Sequence, residues 1–242
     1  MPWIRTARQE IARFDGRWIV VVAFSCALIV THQYYFHAPI DFFRACLRQL
    51  DPEAVGFYKF LFSHAATFVL LFVVPLLFLT LLNRWSADDF SPLKYTFTLG
   101  DFRLGWKLVL LFVAVCFAFH VAFAPAGIYP LCRSSLIRQS IFYFLLFEFF
   151  QCLYMVGFEY FFRGFILIEA SRIFGANAVA ITLLPYIVMK FGKPPFEIYT
   201  AILVGLVLGY MTLRTRSFWY AAGSHALLAT VVDVWEYSRI AS

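Results

Sequence analysis

The stretch Phe158-Glu159-Tyr160-Phe161-Phe162-Arg163-Gly164 decides the fold, because it sets a carboxylate and a guanidinium inside an apolar, aromatic-rich run. Glu159 and Arg163 are just over one helical turn apart, so both groups lie on one helix face. Each charge costs about 2.5–3.5 kcal/mol at the centre of a membrane helix. The pair therefore predicts a helix with a structural or chemical use for buried charge.

The composition places the chain in a membrane. Of its 242 residues, 62% are hydrophobic and 14% are charged, whereas a soluble domain carries about 25% charged residues. Long apolar runs without alternation predict an all-α polytopic membrane helix bundle of about seven transmembrane helices, with a range of about six to eight. The predicted spans cover residues 18–36, 57–82, 106–128, 141–168, 176–189, 196–213 and 218–235.

The chain is predicted to form one membrane domain over residues 1–242, in which residues 141–236 carry the polar motifs. Residues 1–17 hold four arginines, and the loops after the second and sixth spans are also rich in Lys and Arg. Positive residues favour the cytoplasmic side. We therefore expect a multi-pass protein of the bacterial cytoplasmic (inner) membrane, with its N-terminus in the cytoplasm.

The net charge of +6 indicates topology and contact with anionic lipid, and no basic run with interleaved aromatics predicts nucleic-acid binding. The expected partners are the lipid bilayer and a membrane-protein substrate, a peptide substrate or a membrane complex. Five cysteines are scattered without Cys-x-x-Cys spacing, which is typical of buried or lipid-facing thiols. No cofactor is indicated and a metal is not supported, because only His225 is placed to bind one.

Further polar residues share the membrane with the first pair. Glu148 precedes Glu159 by three helical turns and lies on the same stripe, which we expect to face the bundle interior. Lys190 follows a short apolar run, and Pro194-Pro195 is predicted to end one helix and start another.

The last two spans add the remaining groups. Glu197 falls in the first turn of the sixth span, where a carboxylate suits the helix dipole. His225 and Asp233 lie two turns apart in the seventh span. Gly205 and Gly209 form a small-xxx-small pair that predicts close helix packing.

Two interpretations of these groups stay open. Each has a structural reading: a self-neutralising ion pair, hydrogen-bonded contacts within the bundle, or a lysine that reaches the interface. However, ionisable residues that converge in lipid indicate a site. Glu with His is the minimum set that activates water, because the carboxylate takes a proton and the imidazole orients or donates.

From about residue 158 to residue 233 the chain resembles the CAAX-processing and bacteriocin-processing intramembrane endopeptidases, the CPBP or Abi family. The family's first motif, Glu-Glu-x-x-x-Arg, stands here as Phe158 to Arg163. Its second motif, Phe-x-x-x-His, stands as Tyr186 to Lys190, and its third, His-x-x-x-Asn/Asp, as His225 to Ala229. The resemblance implies a multi-pass membrane hydrolase that cleaves peptide bonds.

Three positions depart from the family motifs. Phe158 stands where the resemblance implies the glutamate that activates water. Lys190 replaces the second-motif histidine, and Ala229 replaces the third-motif Asn/Asp, with Asp233 one turn further on. Phe cannot take a proton and Lys cannot act as a neutral imidazole.

Two function classes therefore fit the residues. In the first, an active endopeptidase uses Glu159 as base, His225 to orient water or stabilise the oxyanion, and Lys190 to supply positive charge, with Arg163 as the partner of Glu159. In the second, a divergent and inactive pseudoprotease is a scaffold or accessory subunit of a membrane complex, closed by a salt bridge from Lys190 to Glu148 or Glu159. The predicted catalytic set is Glu159, Arg163, Lys190 and His225, and the supporting polar set is Glu148, Glu197 and Asp233. A transporter is disfavoured, since no matching broken helices occur in two halves.

Overall fold

A computed structural model describes residues 15–35, 51–85, 97–123, 136–137 and 140–241. Across these ranges all regular structure is helical, which confirms the predicted all-α bundle. Of the predicted basic N-terminus, residues 1–14 lie outside the described residues.

The described helices are α-helical except for two π segments and one 3₁₀ segment, Gly175–Asn177. The α-helices are α1 (Gly16–Tyr35), α2 (Pro52–Phe68), α3 (Val74–Trp85), α4 (Phe102–Phe123), α5 (Ile141–Glu159), α6 (Leu167–Phe174), α7 (Ala178–Val188), α8 (Pro195–Thr215) and α9 (Trp219–Ala241). A first π segment, Val69–Val73, joins α2 to α3, and a second π segment, Tyr160–Ile166, joins α5 to α6.

Within the described residues, five helical stretches are long and apolar enough to cross a membrane: Gly16–Tyr34, Pro52–Arg84, Phe102–Phe123, Ile141–Val188 and Pro195–Thr215. The fourth stretch combines two predicted spans, 141–168 and 176–189, and it is interrupted at Gly175, where φ is +54°. The predicted span 218–235 lies in α9, which is not among the five. The chain is therefore an integral membrane helix bundle.

The first π segment follows from a proline. Pro75 has no N–H, so it cannot bond to the carbonyl one helical turn before it. The N–H of Val74 reaches back five residues to the carbonyl of Val69. The segment then contacts the second π segment, since the Phe72 and Tyr160 rings lie 4.5 Å apart between centroids.

The second π segment is buried over all its 7 residues. A Cβ added at Gly164 would lie 2.5 Å from the ring of Tyr160, so the ring occupies space that only glycine leaves free. The other side of the Tyr160 ring packs against Phe218 at 5.3 Å between centroids. This aromatic packing holds Glu159 and Arg163 in the middle of the bundle.

The second π segment and α6 continue α5 as one long helix. A buried cluster of ion pairs links α1 to α6, near the end of this helix. Arg17 donates two hydrogen bonds to Glu169, one of them from Nε to Oε2 at 3.1 Å, and one to Asn83 Oδ1 at 2.8 Å. Arg172 adds a contact to Glu169 at 3.2 Å. The Arg17 and Glu169 side chains are only 9% and 1% exposed, so α1, α3 and α6 meet in a polar contact sheltered from solvent.

Close packing of α8 against α7 uses the two predicted glycines. A Cβ on Gly205 would lie 2.6 Å from Leu183 Cδ1, and one on Gly209 would lie 2.9 Å from Val179 Cγ1. The predicted packing role therefore agrees with the structure. The next helix begins after Arg216, whose φ of 58° turns the chain sharply, and α9 then carries His225 towards α5.

The contact between α5 and α2 gives the first testable prediction. A Cβ at Gly157 would lie 2.9 Å from Phe68 Cα, and backbone cannot move aside cheaply. Gly157→Ala should therefore lower the free energy of unfolding by about 1–3 kcal/mol. The matched control is Gly223→Ala, where nothing lies within 4 Å. Thermal unfolding in detergent, followed by circular dichroism, compares the two. Equal stability of both variants would contradict the close approach.

A candidate buried site around Glu159

Glu159 is the centre of the site. It is the last residue of α5, and its side chain is 0% exposed. His225 Nδ1 donates a hydrogen bond to its Oε1 at 2.7 Å. Arg163 Nη1 lies 3.1 Å from its Oε2, in an ion-pair contact that does not meet hydrogen-bond geometry. Both carboxylate oxygens are therefore engaged by a neighbouring side chain.

Arg163 joins α7 and α8 to this carboxylate. Its guanidinium carbon lies 4.2 Å from the centroid of the Tyr186 ring, which belongs to α7. Its Nη2 donates a long hydrogen bond, 3.5 Å, to the carbonyl of Gly205 in α8. A stacked guanidinium keeps favourable contacts on its flat faces as well as its edges, so Arg163 is a packing element as well as a charge.

His225 comes from α9 and is held in one tautomer. Because a carboxylate only accepts, Nδ1 carries the hydrogen that Glu159 binds. Its Nε2 makes no hydrogen bond with the described residues, and 15% of the side chain is exposed. Glu159 therefore fixes Nδ1 of the ring, and Nε2 is left to bind a further group.

Lys190 corrects the sequence analysis. It lies in the turn after α7, outside the candidate spans, and forms no ion pair with any described carboxylate. The expected salt bridge to Glu148 or Glu159 is therefore wrong: Nζ lies 4.6 Å from the centroid of the Phe158 ring and 5.6 Å from that of Tyr186. Glu159 instead contacts His225 and Arg163. Burial lowers the pKa of Lys190 to about 8, and the attraction of Glu159 opposes that shift.

Phe158 stands where the resemblance implies a water-activating glutamate. It is 1% exposed, and its ring packs 4.9 Å from Phe162 and 5.6 Å from Tyr186 between centroids. The ring of His225 lies edge-on to it at 6.5 Å. The position beside Glu159 therefore holds a buried aromatic ring instead of a group that can take a proton.

Glu148 and Asp233 form a separate polar cluster. Thr230 donates a hydrogen bond to Glu148 Oε2 at 2.6 Å, while Glu148 Oε1 and Asp233 Oδ1 are buried without a hydrogen bond to described residues. Eleven residues of helix separate Glu148 from Glu159, which corresponds to about 16 Å along the axis. The predicted common stripe is buried in the bundle, but Glu148 and Glu159 contact different side chains.

Glu197 lies at the edge of the central site. The α8 helix begins at Pro195, the second of the two prolines, as predicted, and Glu197 is in its first turn. Its Oε1 is buried without a hydrogen bond, and its charge acts on Lys190 without ion-pair contact among the described residues. The structure thus brings together Glu159, Arg163, Lys190 and His225, with Glu197 beside them.

Some neighbours of the site are not predictable from the sequence. His64 of α2 donates a hydrogen bond from its Nδ1 to the Phe60 carbonyl at 2.9 Å. Its ring lies 4.8 Å from that of Tyr154, which in turn stacks on Phe158 at 5.8 Å. No spacing in the sequence connects α2 to α5 in this way, so this aromatic chain to the site appears only in three dimensions.

A comparison with protein families gives the class of this domain. A family model described as type II CAAX prenyl endopeptidase Rce1-like matches residues 137–231, the range that holds Glu159, Arg163, Lys190 and His225. The chain therefore carries a CAAX-protease-family domain, and the family indicated by its motifs is confirmed. No curated protein and no solved structure matches the chain.

The buried ion pair gives the second prediction. Arg163→Met removes the cation beside Glu159, and breaking a buried pair on one side costs about 3–5 kcal/mol. The double variant Glu159→Gln/Arg163→Met removes both charges of the pair and should recover part of that loss. Arg214→Met, at the exposed end of α8, is the control. Denaturant titration in micelles measures each free energy of unfolding. If Arg163→Met is as stable as Arg214→Met, the pair does not stabilise the bundle.

Proposed function

We propose that this chain is a divergent CAAX-protease-family membrane protein whose central site binds a ligand or partner instead of hydrolysing a peptide bond. One observation carries the proposal: the glutamate position is Phe158, and the remaining Glu159 is 0% exposed with both oxygens engaged. A base that activates water must be able to contact it. Glu159 instead supports His225 and Arg163.

The other two motif positions support the same conclusion. Lys190 replaces a histidine and Ala229 replaces an Asn/Asp, so neither can orient water as the family motifs imply. What remains is a fixed imidazole, a buried ion pair and an ammonium over aromatic rings. Such an arrangement suits a pseudoprotease that is a scaffold or accessory subunit of a membrane complex.

The contact between His225 and Glu159 favours a second candidate function. A buried carboxylate that holds Nδ1–H orients an imidazole so that its Nε2 can act as a base. In that candidate His225 takes the proton from water, Glu159 positions it, and Lys190 stabilises the oxyanion. The roles of Glu159 and His225 would then be exchanged relative to the prediction from the sequence.

A cleavage assay in liposomes separates the two candidates. The substrates are prenylated peptides that end in CAAX sequences, and liposomes with an active type II CAAX prenyl endopeptidase are the positive control. We expect the wild-type protein to cleave no faster than its His225→Ala variant. Cleavage by the wild type that is lost in both His225→Ala and Glu159→Gln would establish the second candidate instead.

A restored variant gives the complementary prediction. Phe158→Glu/Lys190→His/Ala229→Asn returns the three departed positions to the family motifs, so we expect it to cleave peptides that the wild type does not. The control is the same triple variant with His225→Ala, which should be inactive. Equal rates for the triple variant and the wild type would show that these three positions do not determine activity.

A further inference from the structure

The polar cluster of Glu148 and Asp233 lies between α5 and α9, away from the central site. The two side chains are more than nine-tenths buried, with 7% and 2% of their surface exposed. Thr230 donates a hydrogen bond to Glu148 Oε2 at 2.6 Å, while Glu148 Oε1 and Asp233 Oδ1 make none with the described residues. Thr230 and Asp233 are three residues apart and share one face of α9. The two carboxyls therefore lie about one helical turn apart.

The nearest basic side chains contact a third carboxylate instead. Glu236, also on α9, is approached by His120 Nε2 of α4 at 3.4 Å and by Arg239 Nη1 at 3.9 Å. Within the described part of the chain, Glu148 and Asp233 contact no Lys, Arg or His side chain, and α8 adds no hydrogen bond or ion pair to the cluster. The two buried carboxyls therefore share this interface without a positive partner.

Two ionised carboxylates at these positions would be costly. Burial removes the water that stabilises a carboxylate, and a second negative charge nearby opposes ionisation further. The Thr230 hydroxyl satisfies one oxygen of Glu148, because a hydroxyl donates to a carboxylate. Asp233 meets no such donor among the described residues. A carboxyl that carries a proton is neutral and gains an O–H donor, which removes both difficulties.

The ligand geometry favours a proton over a metal ion. In the described ranges, no group of three or more His, Cys, Asp or Glu side chains is arranged to hold a metal. A proton needs no such group, and it needs no cavity. One proton leaves a single negative charge on the pair, and the Thr230 hydrogen bond stabilises that charge.

We propose that Glu148 and Asp233 form a proton-binding site that holds one proton between them, and that this proton keeps α9 packed against α5. Loss of the proton places like charges on the two facing helices, so it loosens their contact. The same helix carries His225 two turns before Asp233. The inference goes beyond the proposed function and holds whether or not the central site cleaves peptides.

The pH dependence of stability tests the bound proton. The full chain is unfolded by denaturant in micelles between about pH 5 and about pH 9. Carboxyls of the unfolded chain lose their protons near about pH 4, whereas the folded pair keeps one. Unfolding then releases a proton, so stability falls as the pH rises. The equilibrium constant for unfolding should increase about tenfold with each pH unit, until the folded pair loses its proton.

Amide variants assign this slope to the pair. Asp233→Asn leaves Glu148 as the one negative charge, and Glu148→Gln leaves Asp233 in that role, so each single variant should remove the whole tenfold slope. The double variant should remove no more than either single one. Glu53→Gln changes an exposed carboxylate at the start of α2 and should keep the wild-type slope. Differences from the wild type are compared, so titration of the other groups cancels.

Infrared spectroscopy of the folded protein gives a readout that does not depend on unfolding. At neutral pH the wild type should show the carbonyl stretch of one protonated carboxyl within the bundle. The band should be lost in Asp233→Asn and also in Glu148→Gln, because each variant leaves a single ionised carboxylate. If one of the two variants does not fold, the other carries the same test.

A native thiol reports on the contact between the two helices. Cys152 follows Glu148 by one helical turn on the same face, and Thr230 lies beside both. Alkylation of Cys152 by N-ethylmaleimide is measured by mass spectrometry in the wild type and in Asp233→Asn. The ratio of the two rates should rise with pH. The same thiol is compared at the same pH, so its own ionisation affects both proteins alike.

Four results would overturn the inference. A slope that each single variant only halves would mean that two protons bind independently, and a slope unchanged in both would assign the proton to other groups. Stabilisation of the wild type by sodium chloride but not by choline chloride, lost in the double variant, would identify a metal cation as the ligand. A constant ratio of Cys152 alkylation would reject the role of the proton in holding α9. None of these results depends on the cleavage assay.

Discussion

The Glu159 carboxylate and its two partners are the constraint on which the centre of the bundle depends. His225 brings α9 to this carboxylate, and Arg163 brings the second π segment. Through Arg163, the Tyr186 ring of α7 and a carbonyl of α8 join the same contact. A charge in the interior of a membrane protein is costly unless it is paired. The polar centre therefore sets where these helices can meet.

The two motif substitutions nearest to this centre act together. A phenylalanine in place of a glutamate removes a negative charge, and a lysine in place of a histidine adds a positive one. Both changes move the charge of the site in the same direction, so neither compensates for the other. The new ring nevertheless provides the surface on which the new ammonium lies, at 4.6 Å. Under the proposed function, the site therefore presents a cation where the family resemblance implies a group that handles a proton.

Much of the fold and part of the site are predictable from the sequence for physical reasons. Apolar runs fix the helices, and the four-residue spacing of Glu159 and Arg163 fixes their common face. The second π segment is not predictable, because it contains no proline and a change of backbone hydrogen-bond register leaves no periodic pattern of side chains. Lys190 contacts the Phe158 and Tyr186 rings instead of a carboxylate, and the sequence does not predict this contact because the two rings belong to different helices. The spacing of Glu148 and Glu159 predicts that both lie on one helix face, but it does not predict which side chains each contacts. The contact between Glu148 and Thr230 therefore appears only in the structure.

The second π segment also determines how this long helix tolerates a change in its length. Its backbone bonds reach one residue further than those of an α-helix. Deletion of one residue within Tyr160–Ile166 can therefore be absorbed by a return to α-helical bonding, with α5 and α6 still presenting the same faces. The same deletion inside α5 would rotate everything beyond it by about 100°. Glu169 would then turn away from Arg17, so we expect a one-residue deletion to destabilise the protein less in the second π segment than in α5.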